Sequence, residues 1–167
     1  KKRKDIWEKR NKLLFSVLNK SLEELDLLKI KDKTSLGIIK PKKLIEFYRT
    51  PLEQCRDWEK DLINGTQRTL FDTIYKTPLD HIPYKFSYKF FCDDPRCTSH
   101  DIMCEDWELY QLYREMVKRH GEDVGWQKVK QRYYDWMGGR DFYFIMGTEW
   151  QFNRFLIIGL YYPPNRL

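Results

Sequence analysis

No stretch of this chain approaches the roughly 18 consecutive apolar residues needed to span a bilayer as a helix, and Lys1 to Lys20 lacks the apolar centre of a secretory signal. Both absences argue against a membrane or signal-led protein and for a soluble, cytosolic one. Histidine is scarce, with His81, His100 and His120 the only three. A Gly-x-Ser-x-Gly elbow, a P-loop and a dinucleotide fingerprint are all missing, so no catalytic residue can be named. Repeats and low-complexity tracts are absent too. There are four cysteines, Cys55, Cys92, Cys97 and Cys104, and in a cytosolic chain a structural disulfide is not their first reading. Residue 1 is Lys rather than Met, which points to a fragment, a processed form or the ordered part of something longer.

What is present is aromatic and basic. The 167 residues are 41% hydrophobic and 16% aromatic, enough for one domain with a core of few but large side chains and no disulfides. The net charge of +6 is unevenly placed: residues 1–50 carry 15 basic and seven acidic side chains, while the rest is near neutral. A basic arm on a neutral body suits nucleic acid or an acidic partner, although surplus lysine also serves solubility.

Taken in order, Lys1 to Lys20 spaces Ile6, Trp7, Leu13, Leu14, Val17 and Leu18 as an amphipathic helix. Ser21 and Glu24 have the spacing of a capping box, predicting a helix from Leu22 to about Ile30 with Leu22, Leu25 and Leu28 inward. A strand follows near Leu36 to Lys40, then a strand or helical turn over Lys42 to Arg49. A helix near Leu52 to Ile63 and a break at Asn64-Gly65-Thr66 are the weakest features. Tyr84, Phe86, Tyr88 and Phe90 alternate with Lys85, Ser87 and Lys89, the pattern of a strand with one aromatic and one basic face. Asp106 is placed to cap a helix running to His120 that buries Leu109, Leu112, Tyr113 and Met116, and Gly121 ends it. A second helix, from about Glu122 to Met137, would turn Trp126, Val129, Tyr133 and Trp136 to one side. Strands over Asp141 to Met146 and Phe155 to Tyr161 close the chain.

The densest chemistry is Cys92-x4-Cys97-x2-His100-x3-Cys104. Zinc takes tetrahedral nitrogen and sulfur ligands, and Asp94-Pro95 supplies a turn that could wrap the ion. The spacing departs from the common paired-cysteine pattern, and buried cysteines beside a satisfied core histidine would look similar. Cys104 serves equally well as a small core residue, in which case Cys55 or Asp101 would complete the shell. A full protein shell favours a structural over a catalytic zinc. Asp101, Asp106 and Glu108 could hold a hard cation for phosphodiester cleavage; carboxylates in a first helical turn are more simply explained by its free amide groups. Lys85 and Lys89, beside Tyr84 and Tyr88, could contact phosphates and bases, although aromatic alternation on a strand is usually core.

The runs Ile82-Pro83-Tyr84-Lys85-Phe86-Ser87-Tyr88, Cys92-x-Asp94-Pro95-x-Cys97-x-x-His100, Asp106-Trp107-Glu108 and Phe155 to Pro164 resemble a group of uncharacterised bacterial proteins over about Leu36 to Pro164. The resemblance implies a bacterial source and an accessory role among mobile-element or phage-defence genes, without an established activity. In that group the residue before the histidine is usually Gly where this chain has Ser99, and Cys104 lies outside the pattern.

These readings combine into an α+β domain with a small, mostly antiparallel sheet packed by helices and a zinc-stabilised strand-to-helix loop. Residues 1–33 form a basic helical segment and 34–167 the zinc-binding domain. The leading function is a nucleic-acid-binding module with Lys1, Lys2, Arg3, Lys4, Lys40, Lys42, Lys43, Lys85 and Lys89 on phosphates. The competitors are a protein-interaction subunit docking through Trp7, Leu14 and Leu18 of the N-terminal helix, and a metal-dependent nuclease.

Overall fold

A computed structural model describes residues 2–52, 66–68, 73–75, 82–149 and 153–163. The chain divides into two compact units, Lys1–Tyr48 with Phe86–Leu167, and Arg49–Lys85. In the second, β4 (Thr66–Arg68) pairs antiparallel with β5 (Thr73–Tyr75). Within the same unit the Leu52 N–H donates to the Pro83 carbonyl at 2.9 Å, and the Arg49 guanidinium lies 4.2 Å over the Tyr84 ring. Most of the helix expected near Leu52 to Ile63 lies outside the described residues, as do Asn64, Gly65 and Cys55.

The first unit is built on an open, mixed sheet of seven strands. These are β1 (Leu18–Asn19), β2 (Leu36–Ile39), β3 (Lys43–Pro51), β6 (Tyr84–Phe91), β7 (His100–Cys104), β8 (Tyr143–Glu149) and β9 (Arg154–Tyr161). Two of them, β3 and β6, have their end residues 49–51 and 84–85 in the second unit. Their order is β1-β2-β8-β9-β7-β6-β3. Pairs β2–β8, β8–β9 and β6–β7 are antiparallel, whereas β1–β2 and β7–β9 are parallel. The four strands expected near residues 36, 84, 141 and 155 are all present, Lys42 to Arg49 takes the strand alternative as β3, and β1 and β7 join them. The α+β class is therefore as the sequence predicts, with β7 lying inside what reads locally as a strand-to-helix loop.

Helix α1 (Lys2–Ser16) lays Trp7, Leu14 and Phe15 on one face of the sheet, against Ile38, Tyr143 and Tyr161. Its other apolar residues, Ile6 and Leu13, stay exposed, and Leu18 belongs to β1 rather than to the helix. The opposite face is aromatic: Phe47, Phe86, Tyr88, Phe90 and Phe144 are fully buried there. Helix α2 (Leu22–Asp32) packs Leu25 on this side, so closely that a Cβ on Gly37 would stand 2.2 Å from its methyl group.

Helix α3 (Trp107–His120) and helix α4 (Glu122–Lys130) cover the remainder. Asp106 caps α3 as the sequence predicts, its carboxylate accepting the Leu109 N–H at 2.8 Å. The second oxygen accepts the Leu160 N–H at 3.1 Å, tying the helix start to β9. Helix α4 runs on into a π-helical segment, Gln131–Trp136. The wider turn of i→i+5 bonding makes Met137, rather than the expected Trp136, the residue that follows Val129 and Tyr133 inward.

Candidate metal centre and basic clefts

Strand β6 ends at Phe91, so Cys92 opens the connection to β7. Asp94 folds that connection back: its carbonyl accepts the Cys97 N–H at 3.0 Å and its carboxylate the Arg96 N–H at 2.8 Å. The turn returns Cys97 to its starting point, where the Cys92 N–H donates to Cys97 Sγ at 3.4 Å. Ser99 then takes a φ of 99°, and His100 begins β7 directly opposite Phe90.

The fourth group comes from elsewhere in the chain. Ser21 caps α2 by accepting the Glu24 N–H at 3.2 Å, and Glu24 reaches back to the Lys20 N–H at 2.6 Å. Glu23, in the same first turn, extends to the hairpin loop. One of its oxygens lies 3.4 Å from Cys92 Sγ and the other 3.3 Å from His100 Nε2. His100 Nε2 is in turn 3.3 Å from Cys92 Sγ and 3.4 Å from Cys97 Sγ. All four donor atoms fall within 4.8 Å of one another.

Those separations can be compared with coordination geometry. A tetrahedron with metal–sulfur bonds of about 2.3 Å and metal–nitrogen or metal–oxygen bonds of about 2.0–2.1 Å has edges of roughly 3.3–3.8 Å. The contacts of 3.3 and 3.4 Å lie at the short end of that range. The group could hold a metal ion, with every position supplied by protein. Burial, followed by hydrogen bonding to Cys97, pushes the Cys92 thiol up to about 12. Burial acts to raise Glu23 as well, but hydrogen bonds from its own backbone N–H, Ser21 and Cys92, with the nearby His100, leave its carboxyl below the usual range.

Cys92, Cys97 and His100 thus come together, and Cys104 does not join them. It stands at the far end of β7, opposite Phe86 and Ile157, fully buried, with its thiol raised by burial. Asp101 points its carboxylate to the Tyr48 hydroxyl at 2.7 Å. Glu23 is the member that sequence reasoning missed. It lies 69 residues from Cys92, and its only local signal is the adjacent capping box.

The basic residues are more dispersed. Lys1 lies outside the described residues, and Lys2, Arg3 and Lys4 form the first turn of α1. Lys85 is the second residue of β6 and the last of the second unit, and Lys89 stands opposite Asp101 in the β6–β7 register. Lys40, Lys42 and Lys43 converge with Arg140 on one cleft of about 510 Å³. Lys40 pairs with Asp141 at 2.6 Å and Lys42 with Asp93 at 3.3 Å, both pairs at the surface. A second cleft, also about 510 Å³, contains Lys128, Arg132, Glu108 and Tyr162. Asp106 is nearly buried with both oxygens used by backbone amides, and Glu108 lies 3.4 Å from the Tyr162 hydroxyl.

Fold and site together define an α+β domain with a Cys/His/Glu cluster able to hold a metal ion. The chain belongs to the family described as Domain of unknown function (DUF8757), whose model matches residues 19–167. No curated protein and no solved structure matches it. Among the described residues no helix is long and apolar enough to cross a membrane.

Proposed function

We propose that this protein is a nucleic-acid-binding accessory module whose fold is stapled by one structural zinc ion. The convergence of Lys40, Lys42, Lys43 and Arg140 on a single cleft carries the binding half of this reading. Surface ion pairs such as Lys40–Asp141 are individually weak, so phosphate can replace the carboxylates at little cost. The zinc half rests on the donor set: two thiolates and an imidazole suit a borderline-soft ion, and a carboxylate closes the tetrahedron without an open position. The ion would hold the first turn of α2 against the β6–β7 hairpin. The bacterial, anti-phage setting implied by the resemblance belongs to this same reading.

Metal analysis joined to salt-dependent binding tests it. Purified protein should contain one zinc per chain, which Cys97→Ser and His100→Ala abolish and Cys104→Ser leaves intact. A fluorescent oligonucleotide should bind with a logarithmic salt slope that becomes shallower by about 1 for each phosphate contact removed, as in Lys43→Ala. No metal in folded wild type would remove the staple, and binding insensitive to salt would remove the phosphate contacts. A protein-interaction subunit is the second reading, favoured by the exposed Ile6, Leu13 and Val17. Trp7 and Leu14 already pack against the chain's own sheet.

A further inference from the structure

The two clefts are separated by the π-helical segment, and its last residue connects them. The guanidiniums of Arg132 and Arg140 each lie 3.9 Å from the centroid of the Trp136 ring. The two arginines stand four residues before and four residues after the tryptophan. Arg132 also lies 5.8 Å over Tyr162, whose ring meets Trp136 edge-on at 6.0 Å. Trp136 is 36% exposed although its periodic position predicts burial. A π-turn gives up regular α-helical hydrogen bonding and is frequent at functional sites. Here the wide turn turns an aromatic ring outward and places a guanidinium on each side of it.

Stacking on a ring fixes the plane of a guanidinium and leaves its edge N–H groups free to grip an oxyanion in two places, which an ammonium cannot do. Arg140 also lines the cleft that holds Lys42 and Lys43, and Arg132 the cleft that holds Lys128. Each cleft adds a partly exposed aromatic ring, Tyr134 in the first and Tyr162 in the second. Cations alternating with aromatics along a track are the features by which proteins hold unpaired strands, with phosphates on the cations and bases against the rings. A duplex keeps its bases stacked inside and would use only the cations on the rims.

The geometry points to a binding track for a single strand of nucleic acid that crosses Trp136, with Arg132 and Arg140 gripping backbone phosphates and the flanking clefts receiving bases. This rests on the nucleic-acid reading above and adds to it the strandedness of the ligand and two phosphate-gripping residues. The stacking of Arg132 on Trp136 exists only once the π-turn has formed.

Fluorescence anisotropy with a labelled oligothymidylate, an oligouridylate and a duplex of the same length tests the proposal on the full chain. The single strands should bind at least about tenfold more tightly than the duplex. Arg132→Ala and Arg140→Ala should each weaken single-strand binding roughly tenfold and flatten the salt slope by about 0.7. Arg132→Lys should not restore it, since the ammonium keeps the charge but not the fork. Arg132 is exposed, so unchanged circular dichroism and metal content will show that its variants fold. Loss of binding in Lys43→Ala and Arg140→Ala alone, with Arg132→Ala unaffected, would overturn the track and leave the one-cleft reading standing. Equal affinity for duplex would overturn the single-strand assignment. No binding of any of the three probes would overturn both readings.

Discussion

Ser99 carries a φ of 99°, a conformation that side chains with a Cβ adopt at a cost of about 1–3 kcal/mol. It turns the chain so that His100 re-enters the cluster one residue later, a backbone conformation that glycine would adopt without a steric cost. Ser99→Gly should therefore relieve strain that exceeds the added flexibility of the unfolded chain. The expected gain is up to about 1 kcal/mol, read as a rise of about 2–4 °C in melting temperature with metal content unchanged; a fall would show that Ser99 is not strained. Asp106 gives a second test at this scale. Burial raises its carboxyl above the ordinary 3.8, the Glu108 charge adds to this, and the Leu109 and Leu160 amides oppose it. The folded state then holds the proton more tightly than the unfolded one, so this group's contribution is fully present below about pH 3.8 and is lost as pH rises through the higher folded value. Urea unfolding of Asp106→Asn against wild type should show wild type losing ground over that interval. Three of the four cluster residues were legible from spacing alone, because a short loop brings its own residues together. Glu23 was not, because its place depends on how α2 packs.

The elements themselves were legible wherever one local rule decides them. The Ser21–Glu24 capping box, the Asp106 cap, the Gly121 stop and the Tyr84 to Phe90 strand each act within a few residues and each formed, although Ser87, expected on the wetter face of that strand, is buried. Strands β1 and β7 were not legible, since a two-residue strand and five residues after a metal-type loop exist only through their partners in the sheet. The π-turn escaped for a related reason: a 3.6-residue period cannot anticipate its own interruption. Close approach between elements is equally invisible. Gly125 lets α4 lie against α3, and a Cβ there would stand 2.8 Å from the backbone of Val117. Alanine at an open helical site gains about 1 kcal/mol over glycine, but backbone on backbone has no side chain that can rotate away. Gly125→Ala should thus destabilise the protein by about 1–3 kcal/mol, seen as a lower urea midpoint at constant m-value. A higher midpoint would mean that the two helices can separate without loss.

At the scale of the whole molecule the cluster brings together parts of the chain far apart in sequence, the first turn of α2 and the β6–β7 hairpin. A ligand that binds only the folded state stabilises it by about 2.7 kcal/mol when present at a hundred times its dissociation constant. In a chain of 167 residues that corresponds to a melting temperature roughly 5–10 °C higher. Chelation should remove this increment, and zinc added back should restore it. The pH dependence follows from Cys92, whose thiol in the metal-free cluster is pushed up to about 12 and is therefore protonated at neutral pH. Loading must expel that proton, so apparent affinity rises by up to about tenfold per pH unit for each proton displaced. The chelator-sensitive part of the melting temperature should then shrink as pH falls from about 8 to about 6, and loading in weak buffer should acidify the solution. Glu23→Gln should reduce the increment while Cys104→Ser preserves it, because only the former lies in the shell. If chelation shifts neither protein, α2 is held without an ion by Leu22, Leu25 and the Lys29 contact to the Asn153 carbonyl, and the four donors are a hydrogen-bonded cluster.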